Sequence, residues 1–285
     1  MAIGKLRYAI DNFIGSDTSL YSSSEADLYV LENLYNVRPS FPFRFDGVGT
    51  TSGAIPEWIC VDLNEAKSPN LCAMFCTNFS MLQSGDLLDM KACDDACPGQ
   101  SGACDWDTPA HEMSLLPRMV PDFDNLYQRF NWGAHQFWMW EFIDAANPDG
   151  YIEVGELFLG TSHTFSHARL EPGRADGPVF YEGTADTYYG QIWSNYYSEA
   201  EHFSIKIRSQ NDPAQVDELR LFLSAVKQAG GKFVFIPDDH FKFAYYVHMR
   251  NTEGFGQQLT KGILCEDYEW TIELRTLTCG ITLLG

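Results

Sequence analysis

The chain has 285 residues, 45% of them apolar and 14% aromatic, which is enough to bury a sizeable core and too apolar for a disordered protein. Its 19 basic against 39 acidic residues give a formal net charge of -20, which argues against nucleic-acid backbones and anionic membranes as partners, since both are held by basic side chains. No apolar run approaches a membrane span and "MAIGKLRYAIDNF" lacks a signal-peptide core, so the expectation is a soluble protein made in the cytoplasm.

In chain order, "LRYAIDNF" and "EWICVDL" have strand composition, with turn-prone "GSDTS" and "GVGTTSG" before or between such runs. The stretch "ADLYVLENLYN" is ambiguous by period and suits a helical turn. In "RPSFPFRF", Pro39 and Pro42 exclude a central strand and predict an extended edge or loop.

Six of the eight cysteines, Cys60, Cys72, Cys76, Cys93, Cys97 and Cys104, crowd a segment rich in Gly, Asp, Ser and Pro, which predicts a cysteine-rich insertion over about residues 60–106. Three readings compete. The segment is a disulfide-stapled insertion, or a zinc or iron–sulfur site built on the C-x-x-x-C pairs Cys72/Cys76 and Cys93/Cys97, or a set of free thiols. Asp94 and Asp95 disfavour thiolates at their neighbours, and the stapled reading is preferred, with most of the six paired inside the segment. Cys265 and Cys279 are expected to be separate from it.

"YQRFNWGAHQFWMWEFIDA" then predicts a strand buried on both faces, or a pair of strands, and "YIEVGELFLG" another. Between them, "DAANPDGYIEVGE" nearly spells a calcium loop, with Asn147, Asp149 and Glu156 at the third, fifth and closing ligand positions. The first ligand position holds Ala145, and both flanks read as strands. Asn147, Pro148, Asp149 and Gly150 therefore predict a hairpin turn, with proline presetting φ and glycine taking the positive-φ position.

The polar stretch "TSHTFSHARLEPGRADG" marks a boundary, dividing a unit 1–165 from a unit 166–285. Tyr188, Tyr189, Trp193, Tyr196 and Tyr197 form an aromatic cluster that suits a glycan or partner platform, or plain sheet packing. "HFSIKIRS" reads as a strand, and a helix over about 213–229 follows. It has Asp212 as N-cap, Pro213 at its first position, Val216, Leu219, Leu223 and Val226 on one face with Phe222 beside them, and Gly230 past its end. "KFVFIPD", "FKFAYYVHM" and "YEWTIELRTL" close the chain as strands.

No nucleophile elbow, phosphate loop or dinucleotide fingerprint is present. His163 and His167 have a metal-like spacing but sit in polar loop sequence. Asp238, Asp239 and His240 hold the parts of an acid/base site, yet a turn between strands accounts for them. No catalytic residue is assigned.

Asn33-Leu34 with Arg38-Pro39, Asp62-Leu63, Asn78–Ser80 and Asn147–Gly155, in that order, resemble a family of tail structural proteins of long-tailed bacteriophages. The resemblance implies a mainly β protein: a discoidin-like (galactose-binding-like) β-sandwich, followed by a second β domain packed by one helix, similar to tail-tube and distal-tail proteins. It implies a non-enzymatic virion component of the distal tail or baseplate, without a cofactor, assembling as a ring-shaped homo-oligomer beside other tail proteins. The alternative is a carbohydrate-binding module that touches host surface glycans. The cysteine-rich segment departs from the family pattern.

Overall fold

A computed structural model describes residues 6–49, 56–80, 86–102, 104–115, 125–165, 168–170, 176–186, 192–210, 213–237, 244–249, 258–262 and 265–277. The chain divides into two compact units, Asp11–Ser162 and a second formed by Met1–Ile10 with His163–Gly285. The first strand, β1 (Arg7–Ala9), therefore belongs with the end of the chain, which corrects the expected unit 1–165 at both of its ends.

Residues 11–162 fold as a β-sandwich. Its strands are β2 (Ser19–Ser22), β3 (Phe43–Arg44), β4 (Glu57–Lys67), β5 (Leu71–Thr77), β6 (Leu87–Cys93), β7 (His111–Ser114), β8 (Asn125–Arg129), β9 (His135–Ile143) and β10 (Glu153–Gly160). A 3-10 turn, Leu31–Tyr35, meets the helical-turn expectation, and β3 is the extended edge that Pro42 allows. One sheet has the order β2-β4-β9-β6-β7 and the other β3-β10-β5-β8, with antiparallel pairing throughout.

Alternation decides which side chains face inward. Ile59, Val61 and Leu63 of β4, Leu88, Met90 and Ala92 of β6, and Trp138, Trp140 and Phe142 of β9 meet Cys72, Met74, Val154, Leu157 and Leu159 of the opposite sheet in one core. The intervening residues of β4, β6 and β9 point to the outer face, and there Cys60, Cys93, Phe137 and Met139 form a second cluster with Cys97 and Trp106. The loop from Asp94 to Ala110 thus lies over the outer face of the five-stranded sheet. This overturns the expected insertion at 60–106: Cys60, Cys72, Cys76 and Cys93 sit inside strands of the sandwich. Their alternation was hard to read because β5 is buried on both faces.

Asn147–Gly150 is a turn, with Gly150 at φ +76 and its N–H donating to the Asn147 carbonyl at 3.1 Å. It is not a hairpin turn. β9 lies in one sheet and β10 in the other, so the turn carries the chain across the sandwich. The steps from β4 to β5 and from β8 to β9 change sheets in the same way.

In the other unit, β11 (His163–Thr164), β12 (Ala168–Leu170), β13 (Asp176–Asp186), β14 (Ile192–Gln210), β15 (Lys232–Ile236), β16 (Tyr245–Met249), β17 (Gln258–Gly262) and β18 (Cys265–Thr276) join β1 in one sheet, nine-stranded among the described residues. The helix α1 (Pro213–Gln228) buries Leu219, Phe222 and Val226 against Tyr8, Phe233, Phe235, Val247 and Leu274. It ends as its glycines predict. The Gly231 N–H donates to the Val226 carbonyl at 2.8 Å, with Gly230 and Gly231 both at positive φ. Among the described residues, no helix is long and apolar enough to cross a membrane.

Candidate functional site

The strand ends around the Asp94–Ala110 loop bring together side chains from four places in the sequence. His111 opens β7, His135 opens β9, and Trp132 lies in the Phe130–Ala134 link between the two sheets. Ala92 of β6 pairs with both His111 and Trp138, which fixes the spacing of the group. Trp132 lies nearly parallel to His111, with centroids 5.2 Å apart, and to Trp138 at 5.7 Å. His135 stands edge-on to both, at 5.0 Å from His111 and 6.1 Å from Trp138. Near-parallel rings at such separations are offset, so each neighbour covers only part of the indole. Trp132 is accordingly half-buried, whereas Trp138 is fully buried and anchors the group by donating its Nε1–H to the His135 carbonyl at 3.1 Å.

His135 is 7% exposed. Its Nδ1 meets Asp94 Oδ1 at 2.9 Å, while its Nε2 is buried without a hydrogen-bond partner. Asp94 directly follows Cys93, and the disulfides Cys93–Cys104 and Cys60–Cys97 pin this loop to the sheet. The cysteine loop therefore places the carboxylate that orients His135.

Next to this group, the outer face carries a buried lysine. Lys91 Nζ reaches Glu141 at 2.8 Å, the Trp106 carbonyl at 3.0 Å and Glu112 at 3.5 Å. Burial pulls the Lys91 ammonium down, but the hydrogen bond and charge of Glu141, then Glu112, outweigh it and hold it above its ordinary value. Asp89 is pushed up, chiefly by burial and also by Glu112, with Ser114 and Lys91 acting the other way.

The residues singled out from sequence are dispersed. Of the six clustered cysteines, Cys60, Cys97, Cys93 and Cys104 pair inside the segment, as the stapled reading expected. Cys76 is also disulfide-bonded, and Cys72 is a buried free thiol. The C-x-x-x-C pairs do not act as units, so the zinc or iron–sulfur reading loses its basis. Cys93, Asp95 and Cys104 come within 4.8 Å of one another, but the two sulfurs are bonded to each other. The Cys72 thiol, pushed up to about 12 by burial, accepts the Trp140 Nε1–H at 3.3 Å.

Asn147, Asp149 and Asp144 form a hydrogen-bonded knot. The Asp144 carboxylate accepts the Ser80 hydroxyl at 2.5 Å, the Ser80 N–H at 2.6 Å and the Asn147 amide at 3.0 Å. Asn78 donates to Asp149 and to the Tyr151 carbonyl, and accepts from the Glu153 N–H. Glu156, the presumed closing ligand, is buried and instead accepts the Val37 N–H at 3.0 Å. Pro148 is exposed at the turn.

Tyr188 and Tyr189 lie outside the described residues. Trp193 and Tyr196 fall on β14, opposite Ala185 and Glu182, with their side chains outside the described residues. Cys279, His167, Asp238, Asp239 and His240 are likewise outside them, as is the Cys265 side chain, and His163 is exposed at the sheet edge. Sequence reasoning missed Trp132. The available signal was its setting, a tryptophan between Asn131 and Gly133 in a break between two apolar runs.

No family model matches the sequence, and no curated protein matches it. Solved structures of similar shape include the family 32 carbohydrate-binding module from Clostridium perfringens NanJ in complex with galactose, at 14% identity and a TM-score of 0.35, covering 55% of this chain and 99% of that one. The lectin domain of lectinolysin with Lewis B antigen has 11% identity and a TM-score of 0.37, covering 54% and 98%. Chitosan-binding module 1 from the chitosanase/glucanase of Paenibacillus sp. IK-5 has 12% identity and a TM-score of 0.37, covering 52% and 98%.

Proposed function

We propose that the chain is a non-catalytic recognition protein whose sandwich unit binds carbohydrate, with the ring group around Trp132 as the contact surface. Trp132 carries this reading. A half-buried indole in the link between the sheets, held by the rings of His111 and Trp138, offers its exposed apolar part to the C–H side of a sugar ring, and the neighbouring histidines and carboxylates supply hydrogen-bond partners at its edge. A glycan array followed by calorimetry tests it, with galactose, Lewis B oligosaccharide and chitosan fragments as first probes. The expected result is binding by the native chain that weakens at least tenfold in Trp132→Ala at unchanged circular dichroism. Loss in Trp193→Ala alone would move the site to the other unit, and a chain that binds no sugar at millimolar concentration removes the reading.

A second reading, a distal-tail or baseplate subunit assembling as a ring with other phage tail proteins, draws support from one observation. Three of the segments that carry the sequence resemblance meet in space. Asn78 bonds to Asp149, Tyr151 and Glu153, and the loop holding Arg38-Pro39 presses on Gly155. Proteomics of intact phage tails and electron microscopy of the recombinant protein test it, and absence from tails together with a monomeric particle would sink it.

A further inference from the structure

The imidazole of His135 is set up as a ligand that has nothing to bind among the described residues. Its Nδ1 faces the Asp94 carboxylate, an acceptor only, so in the neutral ring the proton sits on Nδ1 and Nε2 presents a lone pair. That lone pair is fully buried and unpartnered, an arrangement that costs free energy unless something occupies it. A carboxylate on the far nitrogen is how metal-bound histidines are oriented and made more basic.

The second imidazole is in place. The His111 ring centre lies 5.0 Å from that of His135. Two imidazoles sharing a tetrahedral ion at the usual zinc–nitrogen length have ring centres roughly 5 Å apart. Gly133 adjoins the buried nitrogen of His135. A Cβ placed on Gly133 would have a single heavy atom outside its chain neighbours within 4 Å, and that atom is His135 Nε2 at 3.8 Å. Asp95 and Glu112, both exposed beside Asp94 and His111, add to the negative potential of a chain whose net charge is -20.

We propose that the chain binds one zinc-type divalent cation between His135 and His111, beneath Gly133, with Asp94 as the positioning carboxylate. Imidazole is the ligand such cations take, and water completes the coordination. The site is separate from the neighbouring Cys60, Cys93, Cys97 and Cys104, whose sulfurs are spent in disulfides.

The test uses the full oxidised chain, stripped with chelator and titrated with zinc alone, so that it reads metal whether or not any sugar binds. One equivalent should bind. His135→Gln and His111→Gln should each weaken it at least tenfold, and Asp94→Asn by about tenfold, as loss of an orienting carboxylate does. His111 is half-buried at a strand end, so its variant keeps the test valid if His135→Gln does not fold. The cobalt form should show ligand-field bands without intense thiolate charge transfer. Zinc affinity untouched in both histidine variants, a thiolate band in the cobalt form, or no uptake at a hundredfold excess of zinc would each overturn the proposal.

Discussion

Asp144 is a carboxylate with no exposed surface that serves architecture. It gathers Ser80 and Asn147 and so ties the crossing turn to the end of β5. Asp144→Ala strands buried donors and should cost about 3 kcal/mol, read as a shift in the urea midpoint of the sandwich. The sequence suggested ligand-type residues in ligand-like spacing, and the spacing was real. Side-chain oxygens that suit a cation also suit backbone N–H groups, and Asp149 N–H donating to Asn147 Oδ1 at 3.0 Å uses one in that way. Asp89 gives a prediction in pH. Its folded value is raised, so its ionised form lowers stability at neutral pH, and that loss disappears as pH falls below the unfolded carboxylate value. Asp89→Asn should therefore be more stable than the native chain at pH 7, with the gap closing toward pH 3, as followed by denaturant midpoints across that range.

At the scale of elements, strand existence was legible from composition, and strand partners were not. "YQRFNWGAHQFWMWEFIDA" holds the end of β8 and all of β9, the pair of strands it suggested, and "YIEVGELFLG" is β10, but β9 and β10 pair in different sheets, and a local pattern has no term for a partner chosen across the core. The cysteines misled for a related reason: residues of β4, β5 and β6 that look like a loop-rich insertion are buried on one or both faces. Gly155 shows how tightly the elements meet. A Cβ there would lie 2.2 Å from the Pro39 carbonyl oxygen and 2.7 Å from Cys76 Cβ, where Cys76 itself has φ +55. Gly155→Ala must push the Val37–Pro42 loop off β10. It should destabilise the sandwich by roughly 2–3 kcal/mol and free the Val37 N–H from Glu156, seen as faster amide exchange at that position.

On the scale of the whole chain, the boundary near residue 163 was visible in polar sequence, while the membership of β1 was invisible, because nothing in "LRYAIDNF" says that its partners lie after the sandwich. The two ends of residues 11–162 meet: Phe13 N–H donates to the Leu159 carbonyl at 2.8 Å and Asn12 bridges Gly160. A fragment 11–162, made under oxidising conditions, should fold alone with a cooperative transition, and a non-cooperative melt would contradict the division. The nesting also sets a timetable for synthesis. β1 leaves the ribosome ahead of the sandwich, yet Arg7 pairs with Ile236 and Thr164, so it waits while everything between is translated. At 5–20 residues per second that wait is roughly 10–50 s, during which the sandwich has all of its own chain and can close first. Through that interval the nascent protein carries a finished module with an unpaired strand ahead of it, and chaperones that hold exposed strands would meet it there.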